Sequence, residues 1–161
     1  MEIREFVDED WSRVWPIVRE VVRAGDTYTY PPSLGEDEAR EVWVLDPPGR
    51  TVVAVEGGDV VGTARMGPNK PGPGSHLANA SYMVPSAARG EGVGRALCEH
   101  SLDWARRCGY AGMVFNAVVE SNAGAVALYE RLGFSVVGTV PGAFEHPRHG
   151  RVGLHVMHCP L

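Results

Sequence analysis

Residues Ser81–Arg95, Ser-Tyr-Met-Val-Pro-Ser-Ala-Ala-Arg-Gly-Glu-Gly-Val-Gly-Arg, predict a strand that stops at Pro85, a short loop and the start of a helix. The apolar positions of that helix recur at helical spacing: Val93, Ala96, Leu97, Leu102 and Trp104. Three glycines at alternate positions precede the helix, and glycine lets a ligand approach the backbone because it has no Cβ. A helix N-terminus offers unpaired N–H groups and the positive end of the helix dipole, and both favour an anion. The stretch therefore predicts a pyrophosphate-binding loop over 89–94, to which Arg89 and Arg95 add positive charge.

Two other nucleotide-binding motifs fit this stretch poorly. A dinucleotide-binding fingerprint places its first glycine in the tight turn after the first strand of a βαβ unit. Here the glycines lie past the middle of the chain, and Pro85 and the four residues after it separate them from the strand. A P-loop ends in Gly-Lys-Ser/Thr, whereas Gly94 is followed by Arg95 and Ala96. For the glycines taken alone, the remaining alternative is a flexible turn.

The composition is typical of a single globular domain spanning residues 1–161, with 44% hydrophobic and 22% charged residues. The net charge of −5 argues against a nucleic-acid partner and against an anionic membrane surface. Because the chain has no long apolar run and no signal-peptide pattern at its start, we expect a cytoplasmic protein. The cysteines Cys98, Cys108 and Cys159 are widely spaced, so we expect free thiols rather than a disulfide or a zinc site.

The pattern of apolar residues, glycines and prolines predicts elements in the order βααβββαβαββ. Strands are expected over 2–7, 51–56, 59–66, 76–84, 113–119, 134–140 and 151–157, and helices over 11–24, 36–45, 92–107 and 122–132. Gly67–Gly74 is expected to form an exposed flap, and Pro141–Gly150 a loop between the last two strands. Strands and helices that alternate in the second half predict an α/β fold, in which a mixed sheet has a parallel portion and helices on both faces.

Two motifs in these contexts resemble the GNAT superfamily of acyl-CoA N-acyltransferases. Val84-Pro85 followed by Arg89-Gly90-Glu91-Gly92-Val93-Gly94 and a helix is similar to the acyl-CoA-binding motif of that superfamily. Glu120-Ser121-Asn122-Ala123 followed by Ala127-Leu128-Tyr129-Glu130-Arg131-Leu132-Gly133-Phe134 is similar to its second recurring motif. The order of elements agrees with the superfamily over nearly the whole chain. The two motifs together are more specific than the glycines alone.

The resemblance implies a sheet that opens between two parallel strands, with acetyl-CoA bound in the opening as co-substrate and no metal. The residues that it assigns to acetyl-CoA are Met83, Val84, Arg89, Gly90, Glu91, Gly92, Val93, Gly94, Arg95 and Asn122. It implies that Tyr129 protonates the leaving thiolate, which a phenol of pKa about 10 can do. By spacing alone, a ring packed in the core is the alternative role for Tyr129.

The tail of the chain resembles small-molecule acetyltransferases that inactivate toxic amino acids, including proline analogues. Phosphinothricin and methionine sulfoximine acetyltransferases are a more distant comparison. The implied acceptor is therefore the amine of a small molecule, an amino acid or a toxic analogue. Candidate acceptor contacts are Thr27, Tyr28, Tyr30, Asn79 and Asn116. Bonding to exposed sheet backbone is the alternative role for the two asparagines.

Several features of the acceptor side stay open at this point. Glu120 and His76 are candidate bases, and ordered water is the alternative. The segment 145–149 contains Glu145, His146, Arg148 and His149 and is interpreted as a solvated turn rather than a metal site, because no ligand spacing recurs with acidic or cysteine partners. Acetylation of a protein N-terminus or lysine, or an acyl-CoA sensor without turnover, are the other functions considered. Dimers are common in the superfamily, so the last strand is a candidate homodimer contact.

Overall fold

A computed structural model describes residues 1–161 and has the expected order of elements, βααβββαβαββ. The strands are β1 Glu2–Glu5, β2 Arg50–Glu56, β3 Asp59–Pro68, β4 Leu77–Met83, β5 Gly112–Val119, β6 Ser135–His146 and β7 Gly150–Pro160. The helices are α1 Trp11–Ala24, α2 Glu36–Trp43, α3 Val93–Arg107 and α4 Ala123–Arg131. None of these helices is long and apolar enough to cross a membrane.

The strands form one mixed sheet in the order β1-β2-β3-β4-β5-β7-β6. Only β4 and β5 run parallel, and they pair at just two positions, Leu77 with Gly112 and Ala78 with Met113. Beyond Ala78 the two strands diverge, while β4 remains paired with β3 as far as Met83. The expected α/β fold with a sheet that opens between its parallel strands is confirmed.

Helices cover both faces of the sheet because apolar residues alternate along its central strands. On β2, Val52 and Ala54 join the core beneath α3, whereas Val53 joins the core beneath α1 and α2. Successive side chains of a strand point to opposite faces, so a run of apolar residues supplies both cores. Burying one Val side chain stabilises the fold by roughly 1.5–3 kcal/mol. The two cores fix the helices on either side of the opening.

Helix α1 ends at a glycine that directs the following residues across the sheet. Gly25 has φ +64°, a left-handed conformation that glycine adopts without strain, and its N–H donates to Val22 O. The connector 26–30 then passes over β4. The Tyr28 ring packs edge-on against Trp43 at 6.3 Å and stacks on Tyr30 at 5.8 Å. The connector is therefore a packed wall rather than a free loop.

The interpretation of Pro141–Gly150 as a loop is wrong. Strand β6 continues to His146, and β7 starts at Gly150, so the two strands form a long hairpin. The register shifts between Val140 and Phe144, which is a bulge. Proline is tolerated at a bulge on an edge strand because no ladder hydrogen bond is needed there, and β6 is an edge strand. The hairpin turn consequently reaches back towards the connector 26–30.

The flap lies two residues later in the chain than the sequence predicts. Gly67 and Pro68 belong to β3 and pair with Asn79 and Ala78 of β4. The excursion comprises residues 69–76, and the Asn69 N–H donates to Leu77 O at its base. It is therefore the connection of a β-hairpin, with a short 3₁₀ turn over Gly72–Gly74.

Candidate functional site

The opening between β4 and β5 contains a cavity of about 680 Å³. Its walls come from β4, β5, α4, the connector 26–30 and the turn of the β6–β7 hairpin. Arg89 and Gly94, at the N-terminus of α3, line the cavity together with Asn122, at the N-terminus of α4. Arg65 of β3, Asn79 of β4 and the connector 26–30 also line it. Thr27, Tyr28, Tyr30, Asn116 and Tyr129 also line the cavity, so the structure brings the expected acceptor residues and the expected acid together.

The glycine loop before α3 presents a row of unpaired amides. The N–H groups of the six residues 90–95 make no hydrogen bond to the backbone, whereas the Arg89 N–H donates to Ser86 O at 3.2 Å. Gly90 and Gly92 have φ values of +84° and +82°, and the space where a Cβ would lie is empty to 4 Å. Unpaired N–H groups at a helix N-terminus bind phosphate oxygens. The geometry fits a pyrophosphate, with the cradle shifted by one residue from the expected 89–94 to 90–95.

Side chains around this loop have different roles. Arg89 is exposed and lines the cavity, whereas Arg95 forms an exposed ion pair with Glu99 at 2.8 Å. Val93 is only 1% exposed and packs into the core, so only its main chain faces an anion. The loop is anchored from α1, where Glu20 accepts the Ser86 N–H at 2.7 Å. That hydrogen bond lowers the pKa of Glu20, which therefore stays ionised at neutral pH.

Along β4, the main-chain N–H and C=O groups of successive residues face the cavity and β3 in turn. Because the N–H and C=O of Tyr82 bind the Tyr28 hydroxyl in the opening, those of its neighbour Met83 face β3, where Met83 pairs with Thr63. The N–H and C=O of Tyr82 face the opening, as the next ones along do at Val84. The Val84 N–H makes no backbone hydrogen bond. Of the two residues expected to present their main chain to a cofactor, the geometry therefore favours Val84.

At the acceptor end of the opening, side chains already form hydrogen bonds with the main-chain groups of β4 and β5. The Tyr28 hydroxyl donates to Tyr82 O at 2.6 Å and accepts the Tyr82 N–H at 3.0 Å. Burial raises the pKa of Tyr28, so this hydroxyl stays protonated. Asn79 Nδ2 donates to Val114 O at 2.8 Å, where β4 and β5 begin to diverge. Asn116 Nδ2 donates to Asn69 Oδ1 at 2.7 Å and so binds the β3–β4 connection.

Tyr129 has a fixed ring and a hydroxyl without a partner in the protein. The ring packs against Phe115 at 4.7 Å, Phe134 at 5.9 Å and Tyr82 at 6.3 Å. Burial raises the pKa of Tyr129, which keeps the phenol protonated. By contrast, the hydroxyls of Tyr28 and Tyr82 are both hydrogen-bonded, the latter to Ser101 Oγ. Of the four tyrosines that line the cavity, only Tyr30 and Tyr129 have hydroxyls without a hydrogen bond to the protein, and the ring of Tyr129 is the one packed between β4 and β5.

The residues after Tyr129 explain how its ring is held. Gly133 has φ +100° and ends α4, and the Phe134 N–H then donates back to Tyr129 O at 3.0 Å. This turn lets Phe134 stack on Phe115 at 4.2 Å. At the other end of α4, Asn122 Oδ1 accepts the Ala125 N–H at 3.4 Å as the helix cap. Its Nδ2 is left for a ligand.

Neither candidate base lies in the cavity. Glu120 Oε2 accepts the Gly153 N–H at 2.8 Å and holds β5 against β7. His76 is exposed at the β3–β4 connection, with Nδ1 3.1 Å from Pro73 O. The part of the sequence hypothesis that concerned a side-chain base therefore has no support in the geometry.

Two groups of cavity residues were missed by the sequence reasoning. Arg65 is the charged residue in an otherwise apolar stretch of β3, and that contrast is a signal the sequence does contain. The hairpin turn contributes His146, Arg148 and His149, of which Arg148 Nη2 lies 3.7 Å from Asp26 Oδ2. No local signal places that turn at the cavity, because its position depends on the length of the hairpin.

Comparisons with known proteins agree on one family. A family model described as Acetyltransferase (GNAT) family matches residues 6–134. The structure of a GCN5-related N-acetyltransferase from Kribbella flavida is 55% identical, with a TM-score of 0.96, and the match covers 99% of this chain and 97% of that chain. A GNAT superfamily phosphinothricin acetyltransferase from Sinorhizobium meliloti, solved in complex with AcCoA, is 25% identical with a TM-score of 0.87, covering 99% and 88%.

Curated relatives match over shorter segments. The L-methionine sulfoximine/L-methionine sulfone acetyltransferase of Salmonella typhimurium is 38% identical over 92 residues, which are 56% of this chain and 53% of that protein. The matched segments span 40% and 13% of the lengths of two further curated relatives. This chain therefore corresponds to about half or less of those three proteins.

Proposed function

Because this chain belongs to the acetyltransferase (GNAT) family, we propose that it is an acetyl-CoA-dependent N-acetyltransferase whose acceptor is the amine of a small molecule, an amino acid or a toxic analogue. The observation that carries the proposal is the pairing of two features in one opening. Unpaired amides of residues 90–95 lie at the N-terminus of α3, where Gly94 lines the cavity, and Tyr129, whose hydroxyl makes no hydrogen bond to the protein, lines the same cavity. The relatives named for methionine sulfoximine and phosphinothricin support the acceptor class.

The residues present fit acetyl-CoA. The amides of 90–95 would bind its pyrophosphate, with Arg89 beside them. The Val84 N–H and Asn122 Nδ2, which have no partner in the protein, would bind its pantetheine arm. When bound, acetyl-CoA supplies a thioester carbonyl for attack and a thiol as leaving group.

Tyr129 supplies the proton in this proposal. Its Oη is protonated because burial raises the pKa of the phenol, and no other group of the protein competes for that proton. We propose that Tyr129 gives this proton to the departing sulfur.

The acceptor amine has to arrive without a proton on its attacking lone pair. His146 is poorly placed to remove one, because its Nδ1 accepts the N–H groups of Arg148 and His149 at 3.1 and 3.2 Å. Its remaining ring nitrogen therefore carries hydrogen in the neutral form. Burial lowers the pKa of His146, which keeps the ring neutral. Deprotonation through water is the route that the geometry favours.

The proposal is tested by thiol release from acetyl-CoA with three sets of acceptors at pH 8. The sets are L-amino acids including methionine sulfone and methionine sulfoximine, simple amines, and short peptides with a free N-terminus. We expect release with members of the first set. Release with peptides alone would show that the acceptor is a protein and not a small molecule. Tight binding of acetyl-CoA in calorimetry without release from any acceptor would overturn the proposed enzymatic function in favour of a sensor.

A further inference from the structure

Arg65 lies on the face of the sheet that forms the acceptor end of the cavity. On β3 it shares this face with Thr63, because the two are two residues apart. Thr63 Oγ1 accepts from Trp43 Nε1 at 3.0 Å, so α2 covers this face. Ser81 of β4 stands directly opposite Arg65, and Asn79 lies two residues further along the same strand. The guanidinium therefore sits beside the expected acceptor contacts rather than at the surface of the protein.

One edge of the guanidinium has no partner. Nη1 donates to Val42 O at 2.5 Å, and the group stacks on the Trp43 ring with its central carbon 5.7 Å from the centroid. Nε is buried without a hydrogen bond, and Nη2 makes none either. The Nε–Nη2 edge of arginine is one that binds a carboxylate through two parallel hydrogen bonds. A buried donor left unpaired in the native state calls for an explanation, and a ligand provides one.

No carboxylate of the protein neutralises this cation. Arg65 takes part in none of the ion pairs, and the one acidic residue that lines the cavity, Asp26, lies within ion-pair distance of Arg148 instead. Asp26 Oδ1 is the other buried side-chain atom without a hydrogen bond. Both such atoms belong to residues that line the same cavity, and they carry opposite charges. The guanidinium of Arg65 is thus a cation in the cavity wall without an ion-pair partner in the protein.

The register of β3 and β4 places Arg65 opposite Ser81, next to Tyr82, whose main chain binds the Tyr28 hydroxyl. Burial raises the pKa of Tyr28, and the positive charge of Arg65 opposes that rise. The guanidinium therefore acts on the hydroxyl that binds Tyr82 at the open edge of β4. An acceptor held by Arg65 would lie next to this edge, on the side of the cavity that the glycine loop does not occupy.

We propose that Arg65 binds the carboxylate of the acceptor through its Nε–Nη2 edge and so selects amino acids over amines that lack a carboxylate. This inference rests on the proposed function and makes it more specific. Arg65 is a substrate-binding residue here, and it does not touch the reacting atoms. The selected substrate class is a free α-amino acid with an ionised carboxylate.

The test compares each accepted L-amino acid with its carboxamide, which keeps the amine and the side chain and removes the negative charge. Wild-type protein, Arg65→Met, Arg65→Lys and Arg19→Met are assayed by thiol release. Arg19 is the matched control, because its guanidinium also lies over a tryptophan ring, Trp15 at 6.0 Å, outside the cavity. Acetyl-CoA binding to each variant is measured by calorimetry.

We expect the wild-type protein to prefer the free acid over the carboxamide by about 10- to 100-fold in kcat/KM, the range for a charge-assisted hydrogen-bonded pair. Arg65→Met should lower kcat/KM for the acid by a similar factor, mainly through KM, and leave the carboxamide and acetyl-CoA binding nearly unchanged. Arg65→Lys should restore part of the preference, since it keeps the charge without the two-bond geometry. Arg19→Met should behave as wild type.

Equal use of acid and carboxamide by the wild-type protein would overturn the inference, and this outcome does not depend on any variant folding. A loss in Arg65→Met that is the same for both acceptors would also overturn it. In either case thiol release persists, so the proposed function stands. Absence of release with every amine would instead refute the proposed function, and the inference would fall with it.

Discussion

Replacing Tyr129 by phenylalanine isolates the proposed proton donor, because it removes one oxygen and leaves the packing. The ring contacts with Phe115, Phe134 and Tyr82 do not involve the hydroxyl. No hydrogen bond to the protein is lost, so the free energy of unfolding should change by no more than about 0.5 kcal/mol. Positioned proton transfer contributes about 10²- to 10⁴-fold to a rate. We therefore expect kcat to fall by that range in thiol-release assays.

Acetyl-CoA affinity separates this explanation from a binding defect. Calorimetry should give the same dissociation constant for Tyr129→Phe and wild type within about 2-fold, since the amides of 90–95 are unchanged. Tyr110→Phe is the matched control, as its ring packs on Trp104 at 5.2 Å and lies outside the cavity. It should keep full turnover. Equal kcat for Tyr129→Phe and wild type would remove the phenol from the mechanism, and a parallel loss of affinity would show that the ring had moved.

Three further predictions follow from local geometry. Gly92→Ala places a Cβ on a residue at φ +82°, which costs about 1–2 kcal/mol. Acetyl-CoA should therefore bind about 10-fold more weakly in calorimetry, and unchanged affinity would show that the loop tolerates the strain. A thiol reagent should label Cys108 alone in the native protein, since the other two cysteines are buried and burial raises the pKa of their thiols. A second labelled site found by mass spectrometry would contradict this prediction. Asp10 accepts two hydrogen bonds from Arg4, and these lower the pKa of the Asp10 carboxyl. The carboxylate therefore stabilises the fold above the unfolded-state pKa of about 3.9, and this stabilisation is lost as the pH falls through the lower pKa of the folded state. Asp10→Asn should lower the melting temperature at pH 7 and flatten its dependence on pH below about 4, and a parallel acid-induced decrease in both proteins would exclude this carboxylate.

Much of the fold could be predicted because its signals are local. Gly57 and Gly58 have φ values of +59° and +90°, as a two-residue hairpin requires, and the flanking valines alternate between two cores. Gly25, Gly109 and Gly133 end helices in the left-handed conformation that only glycine adopts readily. Glycines of this kind mark turns and helix ends in the sequence itself. The order of elements is therefore readable without knowledge of the packing.

The hairpin turn and Arg65 could not be predicted in the same way. Pro141 indicates a break in a strand unless that strand is at the edge of a sheet, and edge position is a property of the assembled sheet. An arginine in an apolar strand can point to solvent, to an acidic partner or into a cavity. Only the cover of α2 and the absence of an ion pair make Arg65 a ligand-binding candidate. Function at this site depends on contacts between distant parts of the chain.

The open edge of β4 shows how a splayed sheet can be stable before any ligand binds. At the acceptor end its exposed hydrogen-bonding groups are occupied, Tyr82 by the Tyr28 hydroxyl and the facing Val114 carbonyl by Asn79. Towards α3 the Val84 N–H and the amides of 90–95 remain unpaired. A ligand that binds these groups replaces only water, whereas one that displaced Tyr28 would have to break two hydrogen bonds of the protein. The distribution of paired and unpaired groups along one strand edge therefore favours cofactor binding at the glycine loop and keeps the floor of the acceptor site preformed.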